Sequence, residues 1–182
     1  MTRTTYLVAS SLDGFIADEH DNLDWLTSMP GGFDEASPYA EFIAGVGAIC
    51  MGATTYEWIL EHESGPWPYE QPTWVFTHRD LPIRDGGGPI TLTQADVVTA
   101  HKEMAEAAHG KDIWLVGGGD LVGQFLDAGL LDELIVSVTP VTLGQGAPLL
   151  PRRHTEPFRL VSATPSPAGT FVHLRYEVRH GS

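Results

Sequence analysis

Short apolar runs alternate with helical patterns along most of the chain, and this alternation constrains the fold more than any other feature of the sequence. The runs are rich in β-branched residues and are bounded by glycine, proline or charge; they are TTYLVAS, GAICMG, TWVFT, DIWLVGG and ELIVSVTPV. Between them lie the helical patterns SPYAEFIAGV, TTYEWILEH, TQADVVTAHKEMAEAAHG and GDLVGQFLDAG. Strand alternating with helix predicts an α/β fold, with a largely parallel central sheet and helices on its faces.

The last part of the chain has a different pattern. FRLVSATPS and GTFVHLRYEVR follow ELIVSVTPV with no helical segment between them, which predicts antiparallel strands at the C-terminal end of the sheet. The chain has 182 residues, 42% of them apolar, and contains no linker or internal repeat. We therefore expect one domain over residues 1–182.

Composition excludes several classes of function. The net charge of -14 argues against nucleic-acid or acidic-membrane partners, because those surfaces repel carboxylates. No apolar stretch is long enough to span a membrane, and the N-terminal residues lack a signal-peptide pattern, so a cytoplasmic protein is expected. The eight histidines lack metal-ligand spacing and no G-x-S-x-G motif occurs, which predicts neither a metal site nor nucleophilic hydrolysis.

Two junctions between a predicted strand and a predicted helix are rich in small residues. Gly117, Gly118 and Gly119 form one of them, and Gly52 with the residues Ala53, Thr54 and Thr55 forms the other. Glycine allows close approach of a ligand, and a helix N-terminus attracts phosphate, so the two ends together suit the diphosphate of a dinucleotide. The alternatives are a tight turn at the glycines and helix capping by the threonines.

A third junction follows TWVF, where Thr77, His78 and Arg79 emerge from a strand. The guanidinium of Arg79 is suited to a ribose 2′-phosphate, and the hydroxyl of Thr77 can hydrogen-bond to it. The alternative is an ordinary surface arginine.

The segments SLDGFIA, MGATTYE, VFTHR, WLVGGGDLVGQFL and VTPVTLGQGAPLL, in this order, resemble the dihydrofolate reductase superfamily. Within it they are similar to the reductase domain of the riboflavin-biosynthesis enzyme RibD. The resemblance implies a dihydrofolate reductase-like fold, with a mostly parallel sheet of about eight strands, antiparallel C-terminal strands, helices on both faces, and NADPH across the strand ends. The implied cofactor contacts are Ala9, Ile16, Gly52, Ala53, Thr54, Thr55, Thr77, His78, Arg79, Val116, Gly117, Gly118, Gly119, Asp120, Leu121 and Val122.

The chain departs from that family at several positions. Ala53 stands where an arginine is usual and Asp120 stands where many members have a basic residue, which leaves Arg79 to distinguish NADPH from NADH, so NADH is possible as cofactor. The stretch from Ser11 to Gly52 contains no Lys or Arg, which disfavours a phosphorylated substrate unless Arg152 and Arg153 supply the charge. An uncharged heterocycle or carbonyl compound is therefore expected.

Hydride transfer needs one proton source besides the cofactor. The position of the family's substrate-binding carboxylate falls on Ala36, so dihydrofolate reduction itself is not expected, and Glu35 is the candidate acid, with Asp13 and Asp34 behind it. Asp13 and Trp25 are also candidate substrate contacts. The alternatives are a simple Asp-Gly turn for Asp13 and a core position for Trp25.

The resulting hypothesis is an NAD(P)H-dependent oxidoreductase that reduces a small nitrogen heterocycle, similar to 5-amino-6-(5-phosphoribosylamino)uracil reductase and dihydrofolate reductase. A non-catalytic nucleotide- or pterin-binding module and a flavin-binding protein remain alternatives. The resemblance and the apolar segment TLGQGAPLL, residues 142–150, predict a homodimer. The only other partner expected is a small-molecule substrate.

Overall fold

A computed structural model of the protein describes residues 1–29 and 39–180. The strands are β1 (Thr4–Ser10), β2 (Phe15–Ala17), β3 (Val46–Gly52), β4 (Thr73–Phe76), β5 (Ile90–Thr93), β6 (Asp112–Gly117), β7 (Glu133–Val138), β8 (Ala147–Pro148), β9 (Arg159–Pro165) and β10 (Val172–Glu177). The helices are α1 (Asp24–Thr27), α2 (Tyr39–Ala44), α3 (Ala53–His62), α4 (Val97–Ala107) and α5 (Gly119–Asp127). None of the helices in the described ranges is long and apolar enough to cross a membrane.

Eight of the strands form one sheet in the order β5-β4-β3-β6-β1-β7-β10-β9. The six strands from β5 to β7 are parallel, and β10 and β9 are antiparallel to their neighbours. The predicted fold class is therefore confirmed. Two short strands were not predicted, and β2 and β8 pair with each other outside the main sheet. β5 was also missed, because its four residues lie between a glycine-rich turn and the next helix.

The central strands are buried on both faces, which explains why their sequences are continuous apolar runs. Side chains alternate between two clusters: Tyr6 and Leu115 pack on one face of the sheet, and Leu7 and Trp114 pack on the other. Helices α4 and α5 cover the first face, where Phe125 is fully buried, and α3 covers the second.

The connections of β3 and β6 create a crevice. The two strands are parallel neighbours, and their register pairs Met51 with Gly117. The helix that follows β3 packs on one face of the sheet, whereas the helix that follows β6 packs on the opposite face. Open α/β sheets bind ligands at such a point, outside the carboxyl ends of the strands.

Candidate functional site

A cleft of about 1760 Å³ opens at the carboxyl ends of the parallel strands. It is bordered there by Gly52 at the end of β3, Phe76 at the end of β4 and Gly118 after β6. Pockets for one small ligand have volumes of about 300–1,000 Å³. The cleft therefore has room for two ligands side by side.

The N-termini of α3 and α5 meet in this cleft. A Cβ atom on Gly52 would lie 3.8 Å from both the carbonyl oxygen of Gly117 and the amide nitrogen of Gly118. The N-cap residues are Gly52 and Gly118, and neither helix has a side-chain cap. By contrast, the carboxylate of Asp96 caps α4 by accepting hydrogen bonds from two backbone amides. The two helix ends at the cleft therefore keep amide groups free of side-chain acceptors.

The three glycines have different surroundings. A Cβ on Gly118 would meet no atom within 4 Å, so this residue borders open space. A Cβ on Gly119 would lie 2.4 Å from the carbonyl oxygen of Pro148, so only glycine fits beneath that segment. Gly117 has φ of +145°, and the peptide bond between Gly117 and Gly118 is cis.

Thr54 and Thr55 lie inside the first turn of α3 rather than at its cap. The interpretation of these threonines as helix caps is therefore wrong. Both residues line the cleft, and the hydroxyl oxygen of Thr55 lies 3.8 Å from where a Cβ of Gly117 would be. The hydroxyl thus lies beside the first glycine of the triplet.

Arg79 is held at the rim by an ion pair. Its two terminal nitrogens donate to the two carboxylate oxygens of Glu57 on α3, at 2.8 and 2.7 Å. The backbone amide of Arg79 donates to the hydroxyl of Thr77 at 2.9 Å. Thr77 and His78 line the cleft, whereas Arg79 does not.

Asp120, in the first turn of α5, lines the cleft and is paired with Arg152. The guanidinium of Arg152 donates to Asp120 at 2.9 Å and to Asp127 at 2.8 Å. The hydrogen bond from Arg152, followed by that from Gln124, lowers the pKa of Asp120. Because the one guanidinium is shared between two carboxylates, it reduces but does not cancel the negative charge of Asp120 at the helix end.

Most of the predicted cofactor residues come together here. Those in the cleft lining are Ala9, Ile16, Gly52, Ala53, Thr54, Thr55, Thr77, His78, Val116, Gly118, Gly119, Asp120 and Leu121. Gly117, Arg79 and Val122 are outside the lining, and Val122 is fully buried on the core-facing side of α5. Their contact with a cofactor stays a prediction.

The predicted acids have other surroundings. The carboxylate of Asp13 accepts hydrogen bonds from the hydroxyl of Ser11 at 2.7 Å and from the amides of Leu143 and Gly144 at 3.0 and 2.7 Å. These bonds, led by that from Ser11, lower the pKa of Asp13 and fasten two loops together outside the cleft lining. Glu35, Asp34 and Ala36 lie outside the described residues.

Trp25 is partly buried beside the cleft rather than in its lining, and its indole N–H donates to the carbonyl of Asn22 at 3.1 Å. Its neighbours Leu23, Leu26 and Thr27 do line the cleft.

Four aromatic residues that sequence reasoning missed line the part of the cleft beside α3; they are Tyr39, Trp58, Tyr69 and Trp114. The rings of Tyr39 and Tyr69 each meet the ring of Trp114 edge-on, with centroids 5.7 and 5.6 Å apart. Burial raises the pKa of Tyr69, which keeps its phenol neutral. Only Trp58 had a usable signal in the sequence, because it follows Thr54 by one helical turn.

The charged side chains in the described part of the cleft lining are all carboxylates; they are Asp21, Glu63, Asp96 and Asp120. Residues 1–29 and 39–180 contain no group of three or more His, Cys, Asp or Glu that could hold a metal ion.

The segment from residue 142 to 150 does not form a free apolar edge. Its strand β8 pairs with β2, the amide of Leu149 donates to the carbonyl of Gly14 at 2.9 Å, and the hydroxyl of Tyr6 donates to the carbonyl of Leu149 at 3.0 Å. The segment therefore packs against its own chain, and the expected homodimer stays a prediction without it.

The sheet order and the cleft match a dihydrofolate reductase-like fold. A dihydrofolate reductase from Enterococcus faecalis, solved in complex with NADP(H), has a TM-score of 0.63 at 15% identity and covers 96% of this chain and 95% of its own. A candidate riboflavin biosynthesis protein from Shewanella sp. PV-4 has a TM-score of 0.82 at 23% identity and covers 98% of this chain and 100% of its own. The RibD of Acinetobacter baumannii has a TM-score of 0.68 at 20% identity over 97% of this chain and 58% of its own.

Sequence comparison identifies the family. The model of the RibD C-terminal domain matches residues 67–172, and the chain belongs to this family. YwjB of Bacillus subtilis (strain 168), named as an uncharacterized protein, is 34% identical over 148 residues, which are 81% of this chain and 82% of YwjB. YyaP of the same organism, also named as uncharacterized, is 28% identical over 153 residues, or 78% of this chain and 77% of YyaP.

Proposed function

We propose that this protein is an NADPH-dependent reductase, with NADH possible as cofactor, that transfers a hydride to a small nitrogen heterocycle of pterin or aminopyrimidine type. The observation that carries the proposal is the meeting of two helix N-termini without side-chain caps at one cleft. Free amides and positive helix dipoles favour the negative charge of a diphosphate. The NADP(H) bound to the similar Enterococcus faecalis reductase supports the choice of cofactor.

The residues of the cleft fit such a group. Gly118 borders open space, which leaves room for a diphosphate against the backbone of α5, and Thr54 and Thr55 offer hydroxyls from the opposite side. When bound, a reduced nicotinamide supplies the hydride. The protein's part is to align the two ligands and to exclude water from the space between them.

We propose Ala9 and Ile16 as the nicotinamide side of the cleft and Thr77 and His78 as the adenosine side. Ala9 is small and buried at the end of β1, so a planar ring can approach the strand closely there. The two sites lie in the lining of one continuous cleft, as a dinucleotide requires.

The remaining, aromatic part of the cleft is proposed as the substrate site. The faces and edges of Trp58, Tyr69 and Trp114 suit a planar ring. Its described lining has carboxylates but no Lys or Arg, and residues 30–38 contain Asp34 and Glu35 but no basic residue in their sequence. A substrate phosphate would find no cationic side chain in this part of the cleft, so we propose a substrate without a phosphate group.

Glu35, alone or through a water molecule, is proposed as the proton donor, with Asp34 as the second choice. Asp13 suits this role less, because three hydrogen bonds stabilise its charged form.

The test is a fluorescence titration of the purified protein with NADPH and NADH, followed by oxidation assays with a panel of pterins, aminopyrimidines and quinones. Cofactor binding with turnover of an unphosphorylated ring is expected. Binding without turnover across the panel would favour the non-catalytic module, and a yellow purified protein would favour a flavin. If the protein binds neither NADPH nor NADH, the proposal is refuted.

A further inference from the structure

Glu57 forms an ion pair with Arg79, the one arginine that the sequence assigned to the 2′-phosphate of NADPH. Both terminal nitrogens of Arg79 donate to its carboxylate, one to each oxygen, at 2.8 and 2.7 Å. The described lining of the cleft holds no Lys or Arg of its own. Any discrimination by positive charge at this end of the cleft therefore depends on a guanidinium that is already paired.

The fold brings this pair to the rim of the adenosine side. Glu57 follows Thr54 by three residues on α3, and Thr54 lines the cleft. Arg79 follows His78, which also lines the cleft, and the hydroxyl of Thr77 fixes the turn that carries it. The pair is thus adjacent to residues that we propose for the adenosine side of the cleft.

The charge of this pair is close to zero. End-on pairing uses one hydrogen from each terminal nitrogen of the guanidinium, so the remaining N–H groups stay available to a second anion. A 2′-phosphate that binds them lies near the Glu57 carboxylate and is repelled by it. A ribose 2′-hydroxyl carries no charge and meets no such repulsion.

We propose that Glu57 determines cofactor selectivity: by holding Arg79 it weakens the binding of a ribose 2′-phosphate, so the protein discriminates poorly between NADPH and NADH. This inference rests on the proposed dinucleotide site. It makes Glu57 a specificity-determining residue at the rim, with no part in the hydride transfer.

The test uses two ligands that differ only in the 2′-phosphate, namely 5′-AMP and adenosine 2′,5′-bisphosphate, in calorimetric titrations at low salt. Glu57→Gln keeps the shape of the side chain and removes its charge. We expect this variant to bind the bisphosphate about three- to tenfold more tightly than the wild type, as one repulsive charge at the protein surface implies. Its affinity for 5′-AMP stays unchanged.

Two further variants separate this effect from others. Glu106→Gln, at an exposed position of α4 on the opposite face of the sheet, makes the same change in net charge and is expected to alter neither affinity. Arg79→Ala combined with Glu57→Gln is expected to abolish the gain for the bisphosphate. NADH and NADPH, titrated onto the same variants, are expected to show the same pattern as the two smaller ligands.

Several results would overturn the inference. Equal effects of Glu57→Gln on both ligands, no effect on either, or weaker binding of the bisphosphate would each exclude competition by Glu57. If the wild type binds neither NADH nor NADPH, the proposed dinucleotide site itself is refuted. Because that result appears before any variant is made, the two failures are distinguishable.

Discussion

Gly118→Asp places a carboxylate in the proposed diphosphate site without disturbing the packing. The residue has φ of -84° and ψ of 179°, an extended conformation that any residue adopts, and a Cβ there would meet no atom within 4 Å. Two unit charges about 5 Å apart repel by about 1 kcal/mol in bulk water and about 3 kcal/mol at an effective dielectric constant of about 20. Affinity for NADPH is therefore expected to fall about 5- to 200-fold.

The assay is a fluorescence titration with NADPH, and the controls are Gly118→Asn and Gly118→Ala. The asparagine has nearly the size of aspartate without its charge, so the difference between these two variants isolates the repulsion. The free energy of unfolding in urea of all three Gly118 variants is expected to stay within about 0.5 kcal/mol of the wild-type value, because no contact is lost. An aspartate variant that binds NADPH as tightly as the asparagine variant would refute the reasoning.

Four further predictions concern stability, pH, the substrate site and assembly. Gly119→Ala is expected to lower the free energy of unfolding by about 1–3 kcal/mol, because its Cβ would lie 2.4 Å from the carbonyl oxygen of Pro148; an unchanged urea midpoint would contradict this. Arg152 lowers the pKa of Asp120 in the folded state, so the pair's contribution is present above the unfolded pKa of about 3.9 and is lost as the pH falls through the lower folded pKa. The difference in unfolding free energy between the wild type and Asp120→Asn should shrink over that acid range, and a difference independent of pH would count against the pair. Trp58→Ala is expected to weaken binding of a pterin about five- to tenfold while NADPH affinity is unchanged, as measured by fluorescence titration with each ligand. An equal loss of affinity for both ligands would show that the aromatic part of the cleft is not a separate site. Light scattering is expected to give a homodimer of about twice 19.8 kDa, and a monomer mass would remove that expectation.

The sheet and the glycine-rich end of the cleft were accessible from sequence because they depend on local patterns. Apolar runs mark buried parallel strands, and a strand that ends in glycine before a helix marks a ligand site at the sheet edge. The neighbouring positions of Gly52 and Gly118 then follow from the pairing of their two strands.

The aromatic part of the cleft was not accessible, because its residues are far apart in the chain. Tyr39, Tyr69 and Trp114 come from a helix, a loop and a strand, and no local pattern connects them. The pairing of Glu57 with Arg79 could not be predicted for the same reason. The two residues are 22 positions apart, and the packing of α3 beside β4 brings them together. Sequence patterns indicate which residues are at strand and helix ends, but not which charges the fold will pair.

The most direct test of the central claim is a crystal structure of the protein with NADPH. The account predicts diphosphate oxygens within hydrogen-bonding distance of backbone amides in the first turns of both α3 and α5. A nucleotide bound elsewhere, or a diphosphate that contacts neither helix end, would contradict it.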